Sequence, residues 1–290
     1  MSTTPTKPVK ARANTLERRT PAAWAILAVL IAVALAWLFP LYIAVANAFK
    51  KPTEFAQKGA LALPERLDFS AITKFWTDVN YTLMLRNSIL VSVCVAVFGV
   101  TLSFLTAYAI GIGRVKGRML ILSLFMVAFT IPQEATIYPL YQMAQKLNLY
   151  DNLWSIIIVF SIAMSGFGTY MLSSVLSDFP EEILEAARVD GASSRRILWS
   201  IVLPLVRPTM FVLATFFFIW VWNEFLIPLV LLPSNDNQTV ALALGVTTGQ
   251  YTSDPTTRAA AALVGFMPSL VFFIIFQRTL MRGVTLGSVK

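Results

Sequence analysis

Residues 177–208, reading SDFPEEILEAARVDGASSRRILWSIVLPLVRP, form a polar interruption between two hydrophobic runs, and we call this stretch the elbow. Pro180 suits the first turn of a helix, where its missing N–H is not needed, and Glu181 and Glu182 lie favourably at the positive end of that helix. Gly191 can end the helix in the left-handed conformation. The pattern predicts two short amphipathic helices joined at a glycine, with charge on one face.

The second helix of the elbow has a capping residue and an apolar stripe. Ser193 can cap its first turn. Pro204 and Pro208 are expected to end this helix before the next hydrophobic run begins, because proline lacks the N–H that a helix interior needs. The apolar stripe consists of Ile197, Leu198, Ile201 and Val202.

The rest of the chain is too apolar for a soluble globule of its length. Hydrophobic residues make up 57% of the 290 residues and charged residues only 13%, so lipid must cover part of the surface. We therefore predict an all-α polytopic membrane protein with six transmembrane helices. The expected spans are residues 24–49, 87–112, 119–142, 153–176, 209–232 and 259–281.

The distribution of Lys and Arg predicts the orientation of the spans. These residues are more numerous on the side that holds both termini and the elbow, which places that side in the cytoplasm. The run at 24–49 has a signal-peptide alternative, because Ala46-Asn47-Ala48 resembles a cleavage site. Its apolar core is longer than the roughly 7–15 residues of a signal peptide, which favours an uncleaved anchor. The expected domains are a cytoplasmic tail at 1–22, a six-helix transmembrane domain at 23–282 and a cytoplasmic tail at 283–290.

The composition excludes several classes of function. The sequence has no histidine and a single cysteine, Cys94, so the usual metal ligands, nucleophile triads and disulfides are missing. The basic residues are dispersed at the ends of hydrophobic runs, unlike a nucleic-acid-binding patch. The phosphate-binding pattern G-x-x-x-x-G-K-[ST] is also missing. We expect no enzyme activity, no metal, no cofactor and no nucleic-acid partner, and a separate subunit must supply energy.

Two carboxylates, Glu134 and Glu224, lie inside predicted spans, where a charge is costly unless it faces protein or water. Pro132 beside the first predicts a broken helix with free carbonyls. Trp222 beside the second adds an aromatic ring to hydrogen-bonding groups, a mixture that can bind sugars. The alternative is that these groups pair with each other or with a partner and hold an interface together. The candidates for a substrate path are Gln133, Glu134, Asn223 and Glu224.

Small residues in the fourth predicted span indicate close helix packing. Gly166 and Gly168, with Ser161 and Ser165, let neighbouring helices approach each other closely. We predict a tightly packed helix pair at this position.

The elbow resembles the EAA motif of ABC-importer permeases. Glu185-Ala186-Ala187, three residues, Gly191, nine residues, Ile201, one residue and Leu203-Pro204 match at every specified position. From residue 86 to the C-terminus the chain is also similar to MalG-type carbohydrate permeases. The further segments that carry this similarity are Asn87-Ser88, Ala107-Tyr108-Ala109, Ile131-Pro132 and Trp222-Asn223-Glu224-Phe225.

The resemblance implies a set of partners in a bacterial or archaeal cytoplasmic membrane. They are a second, MalF-like permease, two cytoplasmic ATP-binding subunits and an extracytoplasmic solute-binding protein, which residues 233–257 would approach. The solute would be a sugar or oligosaccharide, moved inward by alternating access, with most sugar contacts on the partner permease. The residues implied to couple to the ATP-binding subunits are Glu185, Ala186, Ala187, Asp190, Gly191, Ile201, Leu203 and Pro204.

Other functions fit the same sequence. The same architecture could import glycerol phosphate or a polyamine instead of a sugar. A stand-alone, ion-coupled transporter could use Glu134 and Glu224 for protons, although nothing would then explain the match in the elbow.

Overall fold

The computed structural model describes residues 21–113, 115–177, 179–250 and 254–286, and every element within these ranges is helical. The chain divides into two units, Met1–Ile43 and Ala44–Lys290. A π-helical segment, Leu198–Val202, joins α9 to α10, and Asn235–Asn237 is a 3-10 turn. The α-helices are α1 (Pro21–Ala48), α2 (Pro52–Lys58), α3 (Ser70–Asp78), α4 (Tyr81–Gly111), α5 (Arg118–Thr130), α6 (Gln133–Lys146), α7 (Leu153–Ser177), α8 (Glu181–Val189), α9 (Ser194–Ile197), α10 (Leu203–Trp222), α11 (Leu226–Leu231), α12 (Val240–Gln250) and α13 (Pro255–Leu286).

The first unit contains most of α1, which is apolar on every side. Its large side chains are exposed, among them Leu35 and Trp37. A helix that is hydrophobic all round and 28 residues long is typical of a membrane span. The predicted tail at residues 1–22 lies almost wholly outside the described residues, as does the end of the second predicted tail, residues 287–290.

The core of the second unit is the pair α4 and α7, against which α10 packs. Gly168 allows the closest approach in this pair: a Cβ there would lie 2.8 Å from the Cβ of Ser103 and 3.0 Å from Cζ of Phe217. The Ser103 hydroxyl donates to the Gly99 carbonyl at 2.6 Å, which satisfies its polar group inside the seam. Close packing is therefore confirmed at Gly168, whereas a Cβ on Gly166 would make only ordinary contacts.

Five helical stretches of the described chain are long and apolar enough to cross a membrane. A sixth crossing is present if α5 and α6, which meet at an angle of 93°, count as one broken span. The break lies at Ile131-Pro132, as predicted, because the residue before a proline is driven out of the helical conformation. The five stretches are Pro21–Ala48, Tyr81–Gly111, Leu153–Ser177, Ser194–Trp222 and Pro255–Gln277.

The prediction that Pro204 and Pro208 end the second elbow helix is wrong. The helix runs without interruption from Ser194 to Trp222 and contains both prolines. Pro204 lies in the first turn of α10, directly after the π-helical segment, whose wider hydrogen-bond register accommodates a residue without an N–H. The predicted span 209–232 accordingly begins inside this helix and is broken after Trp222.

Residues 233–250, part of the segment expected to approach a solute-binding protein, are held by hydrogen bonds and include a helix. The side-chain amide of Asn87 donates to the carbonyls of Asp236 and Gln238 at 2.8 and 3.0 Å, and the Ser88 hydroxyl accepts from the N–H of Val240 at 2.8 Å. The chain then forms α12, which buries its first turns. The start of α4 thus holds this segment in place.

Asp254 joins the start of α13 to α3. Its carboxylate accepts from the N–H of Thr257 at 3.1 Å, from the hydroxyl of Thr256 at 2.9 Å and from Nζ of Lys74 at 2.8 Å. Burial acts to raise the pKa of Asp254, but the hydrogen bonds from Lys74 and the two threonines outweigh it, so the pKa lies well below 3.8. A carboxyl with a lowered pKa stabilises the fold above its unfolded pKa, and this contribution is lost as the pH falls through the folded pKa.

We therefore expect Asp254→Asn to lower the thermal midpoint of the purified protein by an amount that depends on pH. Asparagine can still cap the helix, so the substitution removes the charge and its charged hydrogen bond to Lys74, worth about 1 kcal/mol at this partly exposed site. The difference from the parent should be constant above about pH 5 and shrink as the pH falls below about 4, where the carboxyl of the unfolded parent begins to protonate while that of the folded parent stays ionised. Asp236→Asn, on an exposed turn, is the control. A difference that stays the same down to about pH 3 would contradict the assigned role.

Candidate functional site

The elbow begins with α8, an amphipathic helix as predicted. Leu184 and Ala187 are buried against the core of the second unit. Glu185 is exposed on the other side, and Val189 is 87% exposed, which is unusual for an aliphatic side chain. The helix therefore presents a mixed charged and apolar surface outward.

Gly191 turns the chain at the end of α8. Its φ is +76°, its N–H donates to the Arg188 carbonyl at 3.0 Å, and the N–H of Ala192 donates to the Ala187 carbonyl at 2.9 Å. These are the two hydrogen bonds of a Schellman motif. A Cβ at Gly191 would meet nothing within 4 Å, so the backbone conformation, and not a lack of space, requires glycine here.

The second helix of the elbow is fixed at its start. The Ser193 hydroxyl accepts from the N–H of Arg196 at 3.3 Å, so the predicted cap is confirmed. From the end of α4, the Tyr108 hydroxyl donates to the Ser194 carbonyl at 3.1 Å. The elbow is thus attached both to α10, by helix continuity, and to α4, by this hydrogen bond.

The eight motif residues named from the sequence fall into two groups. One group faces outward and is free to meet another protein; its members are Glu185, Ala186, Asp190, Gly191 and Pro204. The other group is buried or half-buried and packs in or against the core of this chain; its members are Ala187, Ile201 and Leu203. The three inward residues of the motif therefore hold the elbow in position. The five outward residues, which include both acids, form its surface.

A second candidate site is a cavity of about 1150 Å³ between α5, α6, α7 and α10. Much of its wall is apolar and aromatic, with Phe129, Phe216 and Trp220 forming one side. Ring centroids lie 5.6 Å apart for Phe216 and Trp220 and 6.3 Å apart for Phe129 and Trp220. The polar residues of the lining are Gln133, Thr136, Ser165, Asn223 and Glu224.

Most of these polar groups come from the two helix breaks. Gln133 is the first residue of α6, just after the bend, while Asn223 and Glu224 follow the end of α10. Oε1 of Glu224 accepts from the N–H groups of Leu226 and Ile227 at 3.0 and 3.3 Å, which holds the carboxylate at the start of α11. The breaks thus bring together three of the four residues predicted for a substrate path.

Two residues singled out from the sequence lie outside this cavity. Glu134 lies in the first turn of α6, is exposed and does not line the cavity. Trp222 does not line the cavity either: it is buried, with its ring 5.7 Å from that of Phe218. The tryptophan that lines the cavity is Trp220. It follows Phe216 by four residues within α10, a spacing that places the two side chains on the same helix face and that could have identified it.

The cavity offers hydrogen bonds and aromatic faces rather than reactive groups. Among the described residues, no cluster of three or more His, Cys, Asp or Glu could hold a metal ion. A large cavity with an apolar wall and a few convergent polar groups is typical of a site that binds a small molecule.

Comparison with known proteins gives a consistent result. Residues 99–285 match the family described as binding-protein-dependent transport system inner membrane component. The arabinooligosaccharides transport system permease protein of Halalkalibacterium halodurans is 30% identical over 87% of this chain and 91% of its own length. The sn-glycerol-3-phosphate transport system permease protein of Yersinia pestis is 30% identical over 85% of this chain and 90% of its own length.

A solved structure has the same fold. One chain of a bacterial ABC transporter involved in the import of the acidic polysaccharide alginate aligns with a TM-score of 0.74, at 23% identity. The alignment covers 94% of the present chain and 99% of the other. The overall arrangement of helices in this chain is therefore one that is found in a known transporter.

Proposed function

Since the chain belongs to the family of binding-protein-dependent transport system inner membrane components, we propose that it is the permease subunit of an ABC importer for sugars or oligosaccharides. It is a multi-pass protein of the cytoplasmic membrane that moves its solute without changing it chemically. The observation that carries the proposal is the elbow. Its exposed helix α8 is connected through the second elbow helix to α10, and α10 lines the cavity.

The proposed topology has six membrane crossings, with the bent pair α5 and α6 counted as one. Both termini and the elbow lie in the cytoplasm, because the elbow carries a cluster of arginines and short cytoplasmic loops are rich in basic residues. The arginines are Arg188, Arg195, Arg196 and Arg207.

The outward surface of α8 is the proposed docking site for one of two cytoplasmic ATP-binding subunits. The Glu185 and Asp190 side chains are exposed and can pair with basic residues, and Val189 supplies an apolar contact that would otherwise face water. ATP hydrolysis takes place in those subunits, and docking passes their movement to α10 through the continuous helix.

The cavity is the proposed contribution of this chain to the solute path. Trp220 offers a ring face for a sugar, and Gln133, Asn223 and Glu224 offer hydrogen bonds to hydroxyl groups. A second, MalF-like permease completes the path in this proposal. An extracytoplasmic binding protein delivers the solute near residues 233–257, whose first part is fastened to α4.

The test is reconstitution of the purified permease pair in vesicles, with and without the ATP-binding subunits. We expect uptake of the solute carried by the co-purified binding protein only when the ATP-binding subunits, the binding protein and ATP are all present. Vesicles with a hydrolysis-defective ATP-binding subunit are the control. Concentrative uptake without ATP-binding subunits would refute the proposal and favour a stand-alone transporter driven by an ion gradient.

A further inference from the structure

In the described part of the chain, the cavity between α5, α6, α7 and α10 is lined by a single charged side chain, which is acidic. Glu224 is its single ionisable side chain, and among the described residues no lysine or arginine lines it. The remaining polar groups are two amides and two hydroxyls, which are neutral and can both donate and accept hydrogen bonds. The lining therefore offers negative charge but nothing to balance a negatively charged solute.

The carboxylate of Glu224 is also fixed in place. Its Oε1 atom accepts from two successive N–H groups, those of Leu226 and Ile227. Swinging the side chain out of the cavity would leave both groups without this acceptor, which is unfavourable in a partly buried position. A solute in the cavity meets this carboxylate at the break after α10.

We infer that this cavity excludes anionic solutes and accepts neutral, polyhydroxylated ones, and that Glu224 is the residue that sets this selectivity. The inference rests on the proposed function, because it assigns a class of solute to the proposed path. The relatives do not decide the class: one is named for arabinooligosaccharides and another for sn-glycerol-3-phosphate, and the similar solved structure belongs to an importer of an acidic polysaccharide. The single charge that the described residues bring to this chain's own cavity disfavours the anionic ones among these solutes.

The physical reason is the interaction between two like charges away from bulk water. At an effective dielectric constant of about 20, an anion about 6 Å from a fixed carboxylate is disfavoured by about 100-fold. A phosphate or uronate group would also lose water without gaining a cation. A polyamine fits poorly as well, because its several charges need several acids, whereas a sugar needs the mixture of donors and acceptors that is present.

The sign of the potential can be measured with cysteine chemistry, without knowing the solute. Because Cys94 is the only cysteine of the chain, Cys94→Ala with Ser165→Cys places one thiol in the cavity. The purified permease pair in lipid nanodiscs is treated with methanethiosulfonates that carry either a trimethylammonium or a sulfonate group. The rate of modification by each reagent is followed as the increase in mass of this chain. Each rate is divided by the rate at which the same reagent modifies a free thiol in solution. Thr136→Cys is a second reporter in the same cavity.

We expect a normalised preference for the cationic reagent of at least about tenfold. Glu224→Gln should bring the ratio close to one, and its side-chain oxygen can still accept the two N–H bonds, so a change in structure is not the cause. Gln133→Glu should raise the ratio further. A ratio near or below one in the parent, or a ratio that Glu224→Gln leaves unchanged, would overturn the inference.

This measurement and the reconstitution assay fail for different reasons. The labelling rates need neither ATP nor a transported solute, so they report the charge of the cavity even if the chain does not act as an importer. Failure of ATP-dependent uptake with a strong cation preference would refute the proposed function alone. Normal uptake with no cation preference would refute only the assignment of Glu224.

Discussion

Gly191→Val is expected to lower ATP-driven uptake by about tenfold or more while the chain still inserts into the membrane. Gly191 has a φ of +76°, a conformation that costs an L-residue about 1–2 kcal/mol and is worse for a β-branched one. A penalty of this size reduces the population of the correctly turned elbow by a factor of roughly 5 to 30. ATP hydrolysis in the complex should continue, because its catalytic groups lie in other subunits, so the ratio of solute moved to ATP hydrolysed falls.

The matched control for this prediction is Gly191→Asn. Asparagine tolerates the left-handed conformation, and a Cβ at this position meets no neighbouring atom, so the turn should form and most of the uptake should remain. Glu185→Gln then tests the exposed charge of α8 separately from its turn. Equal uptake by the valine and asparagine variants would show that the conformation of Gly191 does not matter for coupling.

The second large effect is expected at Gly168, in the seam between α4 and α7. Gly168→Leu should remove most of the folded protein, because even a Cβ would lie 2.8 Å from that of Ser103 and 3.0 Å from a ring carbon of Phe217. Overpacking a seam of this kind typically costs 1–3 kcal/mol for a small addition, and about 3 kcal/mol or more is expected for leucine. The measurement is the yield of monodisperse protein in detergent and its thermal midpoint.

Three further variants distinguish crowding at Gly168 from a general effect of replacing a glycine. Gly166→Ala, only two residues away, should be tolerated because its nearest neighbour would lie 3.7 Å from the new Cβ. Gly168→Ala should be intermediate, and adding Ser103→Gly should recover part of the loss because it returns space on the facing helix. If Gly166→Ala and Gly168→Ala were equally harmful, close contact at Gly168 could not be the cause.

The sequence predicted the parts of the fold that depend on local rules. Backbone geometry decides the start of α8 at Pro180, its end at Gly191, the cap at Ser193 and the break before Pro132, and the sequence alone shows these features. The long apolar runs likewise identified the membrane-crossing helices, because their length is set by the bilayer and not by tertiary contacts.

The wrong predictions concern features that depend on the helical register, which sets the backbone hydrogen bonds and the direction of each side chain. Pro204 follows a π-helical segment, whose wider register leaves room for a residue without an N–H, whereas Pro208 lies inside the α-helix α10 and its tolerance there has no such explanation. Glu134 was chosen as an acid inside a predicted span, and Trp222 because it adjoins Asn223 and Glu224 in sequence. Trp222 and Trp220 are two residues apart in a helix, so their side chains point in different directions, and it is Trp220 that lines the cavity. Which helices would enclose that cavity depends on tertiary packing, which periodicity does not encode.

If the proposed function holds, the continuous helix from Ser194 to Trp222 would act as a lever between the two candidate sites. At about 1.5 Å per residue, Trp220 lies roughly 40 Å along this helix from Ser194. A tilt of about 10° at the elbow end would therefore move the indole ring by about 7 Å, the width of a sugar ring, with no change inside the helix. A small rotation of a neighbouring subunit would thus become a larger displacement at the solute. The rigid helix itself, rather than a series of side-chain contacts, would connect the two sites.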